Sequence, residues 1–289
     1  MKWKGRERSQ NVEDRRGISP AAAVGGGSLG ILIIILIGAL FGVRPDQLLG
    51  LLNQAQQPNV VQPGQPAPGK DDEVREFIEV VLRDTEKVWG QVFSQHVDGR
   101  YPAPKLVLFD SDYVDSGCGR APAAAGPFYC PADQKIYINP IFFVELERRH
   151  QAPGEFARAY VIAHEVAHHV QRVLGFDEPV NRARQRGNEV ESNRMSVRLE
   201  LQADYLAGVW AHHAHRFDNI LEPGDIDAAI NAAQQIGDDV LMKRSSGYVI
   251  PERYTHGTAA QRARWFKRGF QTGDFTGCKQ LFEMAYEDL

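Results

Sequence analysis

Cysteine is scarce in this sequence: three residues in 289, at positions 118, 130 and 278. That is too few for a disulfide scaffold, and with no C-x-x-C pair a cysteine-based zinc site is the poorer reading of Cys118 and Cys130. No basic stripe runs through the body of the chain and the formal net charge is -4, which sets nucleic acid aside as a partner. Charge is missing altogether from residue 17 to residue 43, where Leu29 to Val43 is almost wholly apolar. Counted from Gly25, the apolar segment is about 19 residues long, which at 1.5 Å per residue approaches a hydrocarbon core of about 30 Å.

What surrounds this uncharged interval predicts four regions: a basic tail over 1–24, a transmembrane helix over 25–43, a Pro/Gln-rich tether over 44–72, and a folded domain over 73–289. Residues 1–16 hold six basic side chains (Lys2, Lys4, Arg6, Arg8, Arg15, Arg16) against three acidic ones, with few apolar groups to bury. Basic residues before the apolar run and only Arg44 just after it put the amino end in the cytoplasm and the domain outside, as a single-pass protein of the cell membrane. A cleaved signal peptide is the alternative. It calls for small residues at an A-x-A-like site, where this chain has Gly38-Ala-Leu-Phe-Gly-Val-Arg-Pro45. The whole is 43% hydrophobic and 24% charged, ordinary for a globular protein of one or two domains.

Within the folded part, Tyr160 to Gln171 contains His164-Glu165-Val-Ala-His168, the H-E-x-x-H pattern, in a stretch with helical apolar spacing that ends at Gly175. Four helical residues turn through about 400°, so His164 and His168 leave one face a turn apart and can share one metal ion. Glu165 lies about 100° from His164, within reach of a water on that ion. Such spacing points to zinc-dependent hydrolysis with a glutamate base. A core helix with hydrogen-bonded histidines is the bland alternative, which must bury two imidazoles and a carboxylate without a cation.

Two histidines leave zinc short of a protein ligand. Glu200-Leu-Gln-Ala-Asp204, on a long helix predicted over 189–215, can supply Glu200 as the third, with the fourth position open to water. Asp204, one turn on, can accept the free ring N–H of a ligand histidine. Glu189 and Glu191 compete for the ligand role but sit in the first turn of that helix, where negative charge is favoured anyway. His212, His213 and His215 read as solvent-exposed, and so does His150. His256, just before a helix opened by the capping box Thr258-Ala-Ala-Gln261, is a candidate oxyanion donor, as are Tyr248 and Tyr254.

The remaining elements read as helices from about 71 to 93, from 141 to before 150 and from 223 to 236, with a short helix capped by Asp238 or Asp239. Strands are expected over 105–109 and 135–139, and a polar surface connection over 177–187. Phe128 to Asn139 can act as an exposed strand that aligns an extended peptide. Outside the cytoplasm Cys118 and Cys130 can form a disulfide, leaving Cys278 unpaired. The fold class is therefore α+β, mainly helical with a small sheet, preceded by one transmembrane helix.

Four stretches, His164-Glu-Val-Ala-His-His-Val-Gln171, Glu200-Leu-Gln-Ala-Asp-Tyr-Leu-Ala-Gly-Val-Trp210, Gly126-Pro-Phe-Tyr-Cys-Pro-Ala-Asp133 and Thr255-His-Gly-Thr-Ala-Ala-Gln-Arg262, together resemble the bacterial neutral zinc metallopeptidases. The resemblance covers nearly the whole chain. It implies a zincin-like metalloprotease domain on a single membrane span, with His164, His168 and Glu200 on one zinc ion, Glu165 as base and a peptide or protein as substrate. Two readings compete with it: a membrane-tethered scaffold in which zinc is structural, and a zinc hydrolase acting on a non-peptide amide.

Overall fold

A computed structural model describes residues 1–17 and 71–289. The expected span over 25–43 and nearly all of the tether over 44–72 lie outside the described residues. Among the described residues no helix is long and apolar enough to cross a membrane.

In chain order the elements are β1 (Val12–Asp14), α1 (Asp71–His96), β2 (Lys105–Leu108), β3 (Tyr113–Ser116), β4 (Gly119–Pro122), β5 (Phe128–Cys130), β6 (Lys135–Ile138), α2 (Ile141–Arg148), α3 (Glu155–Leu174), α4 (Glu178–Gln185), α5 (Glu189–Asp218), α6 (Asp225–Gln235), α7 (Asp238–Ser246), α8 (Ala259–Thr272) and the short α9 (Gln280–Glu283). This is the expected α+β architecture, mainly helical. The main sheet has the order β1-β2-β6-β5, with β1 and β6 parallel to β2 and β5 antiparallel to β6. Of the stretch from Phe128 to Asn139, only β5 lies on an edge; β6 is an inner strand.

Helices cover one face of the sheet and bury the larger core, in which Trp89, Phe156, Tyr160, Trp210 and Phe266 are almost fully enclosed. The other face holds a smaller cluster of Val107, Phe109, Phe128 and Tyr137 under the β3–β4 hairpin. A Cys118–Cys130 disulfide ties that hairpin to β5, and Cys278 is free and buried.

Glycine permits the closest helix contact. A Cβ on Gly208 of α5 would meet the Phe266 carbonyl oxygen at 2.1 Å, and one on Gly269 of α8 would meet that of Tyr205 at 2.0 Å. The two backbones therefore touch, which no larger residue at either position would allow. This crossing brings the first turns of α8 against the middle of α5.

Several expectations are corrected. Residues 1–17 are not a free polar tail. Trp3 is buried, donates its Nε1–H to Glu155 Oε1 at 2.8 Å and packs edge-on against Phe77. The Ser9 amide donates to the Glu79 carbonyl at 2.9 Å, and β1 adds a strand to the sheet in register with Leu106–Leu108. The basic residues that suggested a solvated tail find carboxylates: Lys4 on Glu73, Arg6 on Asp84 and Asp218, Arg8 on Glu76, Arg15 on Glu13 and Arg16 on Asp14. The connection expected over 177–187 contains α4, which opens with Pro179 in its first turn. His150 is buried rather than on the surface. Asp238 does not cap α7; Gly237 holds that position and Asp238 is the first helical residue.

Candidate metal centre

The centre is built on α3 and α5. The first carries His164, Glu165 and His168, and a left-handed Gly175 closes it, as the sequence predicts. The second begins at Asn188, whose side chain accepts from the Glu191 amide, and presents Glu200 and Asp204 one turn apart. Nε2 of His164 lies 3.1 Å from Glu200 Oε2, and Nε2 of His168 lies 3.5 Å from the same oxygen. One ligand atom from each of the three residues falls within 4.8 Å of the others. Glu189 and Glu191 are exposed at the far end of α5 and take no part.

Each imidazole has its second nitrogen fixed. His164 Nδ1–H donates to Asp204 Oδ1 at 2.9 Å, and His168 Nδ1–H donates to Gln171 Oε1 at 2.8 Å. Gln171 is held in turn, its Nε2 donating to the Leu199 carbonyl at 2.7 Å and to Gln202 Oε1 at 2.9 Å. With Nδ1 engaged, the lone pair available for a cation is on Nε2 in both rings. Two such nitrogens and one carboxylate oxygen form the His2Glu donor set of hydrolytic zinc sites, and the residues present fit that ion.

Asp204 is completely buried. It accepts from Tyr160 Oη at 2.5 Å and from Arg262, whose Nε donates to Oδ2 at 2.9 Å and Nη2 to Oδ1 at 3.1 Å. Burial alone would raise its pKa; the Arg262 charge and the His164 contact prevail and bring it down to about 2. Arg262 also donates to the Ile236 carbonyl at 3.2 Å, so the guanidinium is fixed on both sides. Burial works against a charged Glu200 too, but the charges of His168 and His256 and the histidine hydrogen bonds hold it well below the usual carboxylate range. Burial pushes Glu165 up, opposed by His168 and His164. Against the burial that would lower it, Asp204 carries His164 up to about 9.

His256 reaches the centre, with Nε2 3.9 Å from Glu200 Oε1 and Nδ1 2.7 Å from Thr255 Oγ1. Its loop is held by Asp238 Oδ2, which accepts the amides of Thr255, His256 and Gly257 at 2.7, 2.7 and 3.0 Å. The other proposed oxyanion donors stay away: Tyr248 is exposed, and Tyr254 is buried outside the cleft. His212, His213 and His215 are half-buried, each bonded to backbone, and hold no metal cluster among the described residues.

All of this opens on one cleft. Its walls include Pro127, Tyr129 and Pro131 around edge strand β5, apolar side chains of α3 and α5, and the Arg172 to Arg184 region. Sequence reasoning missed Gln171, Tyr160, Arg262 and Asp238. Gln171 and Tyr160 do carry a signal, because they lie three residues after His168 and four before His164, on the face those histidines occupy. Arg262 and Asp238 carry none.

The fold and site define an α+β domain with an H-E-x-x-H helix and a distant glutamate, the class of a zinc peptidase. The chain belongs to the family described as "Putative neutral zinc metallopeptidase", whose model matches residues 1–281. It is similar to the YpfJ protein of Escherichia coli strain K12, 43% identical over 292 residues that span 96% of this chain and 98% of that one. Similarity to the Rv2575 protein of Mycobacterium tuberculosis strain H37Rv is 43% over 188 residues, 62% of each chain. No solved structure matches.

Proposed function

We propose that the protein is a zincin-like peptidase that hydrolyses peptide bonds at the centre formed by His164, His168 and Glu200. The observation that carries this reading is the convergence of both Nε2 atoms on the Glu200 carboxylate, inside a cleft walled by an edge strand. Zinc, when held by these three side chains, supplies the Lewis acidity that activates water and polarises the scissile carbonyl.

The protein's own groups do the rest. An extended peptide pairs by main-chain hydrogen bonds with β5, the last strand of the main sheet among the described residues, beside which Tyr129 lines the cleft. Glu165 takes the proton of the attacking water on a carboxylate oxygen and passes it to the leaving amine nitrogen. Its burial, which lifts its pKa, favours that exchange. Thr255 Oγ1 is hydrogen-bonded to His256 Nδ1, which holds the ring so that an Nε2–H of His256 can donate to the oxygen that gains negative charge. Asp204 and Gln171 keep the two ligand imidazoles in the productive tautomer. The disulfide supports an extracytoplasmic site for this chemistry, since such bonds persist in oxidising compartments.

Zinc content and turnover of a broad peptide library, read by mass spectrometry of the products, test the reading. Glu165→Gln is expected to keep its zinc and lose turnover by at least about 100-fold, the scale of general base catalysis. A zinc-loaded wild-type protein that cleaves no peptide but releases fragments from cell-wall material would replace the peptidase with an amide hydrolase. A fully active Glu165→Gln protein would remove Glu165 as base.

A further inference from the structure

We infer that Arg184 is the specificity-determining residue of the cleft, binding a carboxylate of the peptide close to the scissile bond, either an Asp or Glu side chain or the free carboxyl end. This rests on the peptidase reading of the centre and adds a substrate class to it, peptides with an acidic group near the cut.

Among the described residues three arginines line the cleft, and two of them are engaged by carboxylates of the protein itself. Arg172 Nη1 lies 3.0 Å from Asp177 Oδ2, and Arg262 is bound to Asp204 through Nε and Nη2. Arg184 differs. Its Nη2 donates to Ser196 Oγ at 3.3 Å, and no carboxylate pairs with it among the described residues. Ser196 is itself fixed, since its Oγ–H donates to the Ser192 carbonyl at 3.0 Å and so leaves a lone pair for the guanidinium. A guanidinium carries its N–H donors in a rigid planar fork. Anchored by one of them, Arg184 keeps the rest for a ligand, and a carboxylate is the group whose two oxygens match that fork.

The position suits a substrate held at the metal centre. Helix α4 packs against α5 with Val180 and Ala183 buried, which brings Arg184 of its last turn to Ser196. Ser196 precedes Glu200 by one helical turn on α5, a separation of about 6 Å between side-chain roots. An extended peptide rises about 3.4 Å per residue, so a group bound at Arg184 belongs to a residue within about three places of the bond over Glu200. The side chain is open to the water of the cleft, yet enough protein surrounds it that burial lowers its pKa, only partly opposed by Glu200 and Asp177. An anion in place of that water compensates the charge. Arg182, in the same turn, shows what a solvated cation does there: it reaches Glu178 and lies outside the cleft.

Peptides that carry one Glu, or Gln in its place, at each position in turn, made with free and with amidated carboxyl ends, test this on the zinc-loaded full-length protein. The wild type is expected to favour carboxylate over amide by about 10-fold in kcat/KM, the lower end for a hydrogen bond to a charged group because the site is open to solvent. The preference falls in the Glu series if a side chain is read and in the free-ended series if the terminus is. Arg184→Gln should bring the ratio to about one while neutral, amidated peptides are cleaved as before, and Arg184→Lys should restore part of it, which a loss of fold would not allow. Equal turnover of acid and amide by the wild type would overturn the inference. A preference that survives in Arg184→Gln would overturn it too, by assigning the carboxylate to the metal. Fluorescence anisotropy of the same peptides, labelled, on Glu165→Gln with and without Arg184→Gln reads the ratio as Kd, independently of turnover. A wild type that cleaves no peptide while Arg184 still sets the binding ratio fails the peptidase reading alone, and cleavage without acid preference fails this inference alone.

Discussion

Two buried aspartates, each facing an arginine, behave in opposite ways. Asp204, beneath the metal centre, is held down to about 2, whereas Asp84, beneath the amino-terminal segment, is pushed up to about 6 although Arg6 lies 2.6 Å away. Burial raises both. The difference lies in how the rest of each site answers it. Asp204 receives two hydrogen bonds from a guanidinium that is itself buried, one from Tyr160 and one from His164. Asp84 receives one, from an arginine shared with Asp218, and the negative charge of Asp218 raises its pKa further. An ion pair's distance alone therefore does not say whether its carboxylate stays charged; the count of donors and the neighbouring charge do.

The largest effect should come from breaking the better-satisfied pair. Arg262→Met leaves Asp204 charged and uncompensated in the core, and should cost about 3–5 kcal/mol in chemical denaturation. It should also weaken zinc binding by about 10- to 100-fold in a chelator competition, since the residue that orients His164 loses its own support. A variant with unchanged zinc affinity would show that Asp204 needs no help from Arg262. Arg6→Met should cost less, about 1–2 kcal/mol, because Asp84 is already close to taking up a proton near neutrality. Equal losses for the two variants would dissolve the contrast.

The pH dependence is spread over several pH units and has the sharpest sign. The folded-state pKa of Asp84 lies above its unfolded value of 3.8, so the folded protein holds the extra proton between about 4 and about 6. Stability from this group is fully present below pH 3.8 and is lost as pH rises through about 6. Asp84→Asn should remove that decline, worth up to about 3 kcal/mol by linkage, when unfolding free energies of the two proteins are compared across pH 4 to 7. Asp204 has the opposite slope, its contribution being present above 3.8 and lost as pH falls through about 2. An Asp84→Asn protein whose stability tracks that of the wild type at every pH would mean that Asp84 is charged throughout.

Much of the centre was legible because its spacings are local. His164, Glu165 and His168 follow from the helical repeat, Glu200 and Asp204 from the same repeat together with the need for a third ligand, and the Thr258 capping box formed as its pattern implies. Arg262 was not legible. In sequence it is one more basic residue in the first turns of α8, and only the backbone contact at Gly208 and Gly269 brings it onto Asp204. Asp238 looked like a helix cap because Asp so often is one, yet the acceptor it offers is used by three amides of a loop many residues away. The amino-terminal segment misled for a related reason. Its few apolar groups and many charges describe a solvated tail unless complementary carboxylates await it on α1 and α5, and no local pattern reports those.

By itself, then, the sequence determined which helix carries the candidate ligands and which side chains share its face, because these depend on neighbours within a turn or two. Tertiary structure alone decided what supports those ligands and where the chain's first residues belong. Those depend on charges meeting across large sequence separations, and such meetings are set by helix crossings and strand register.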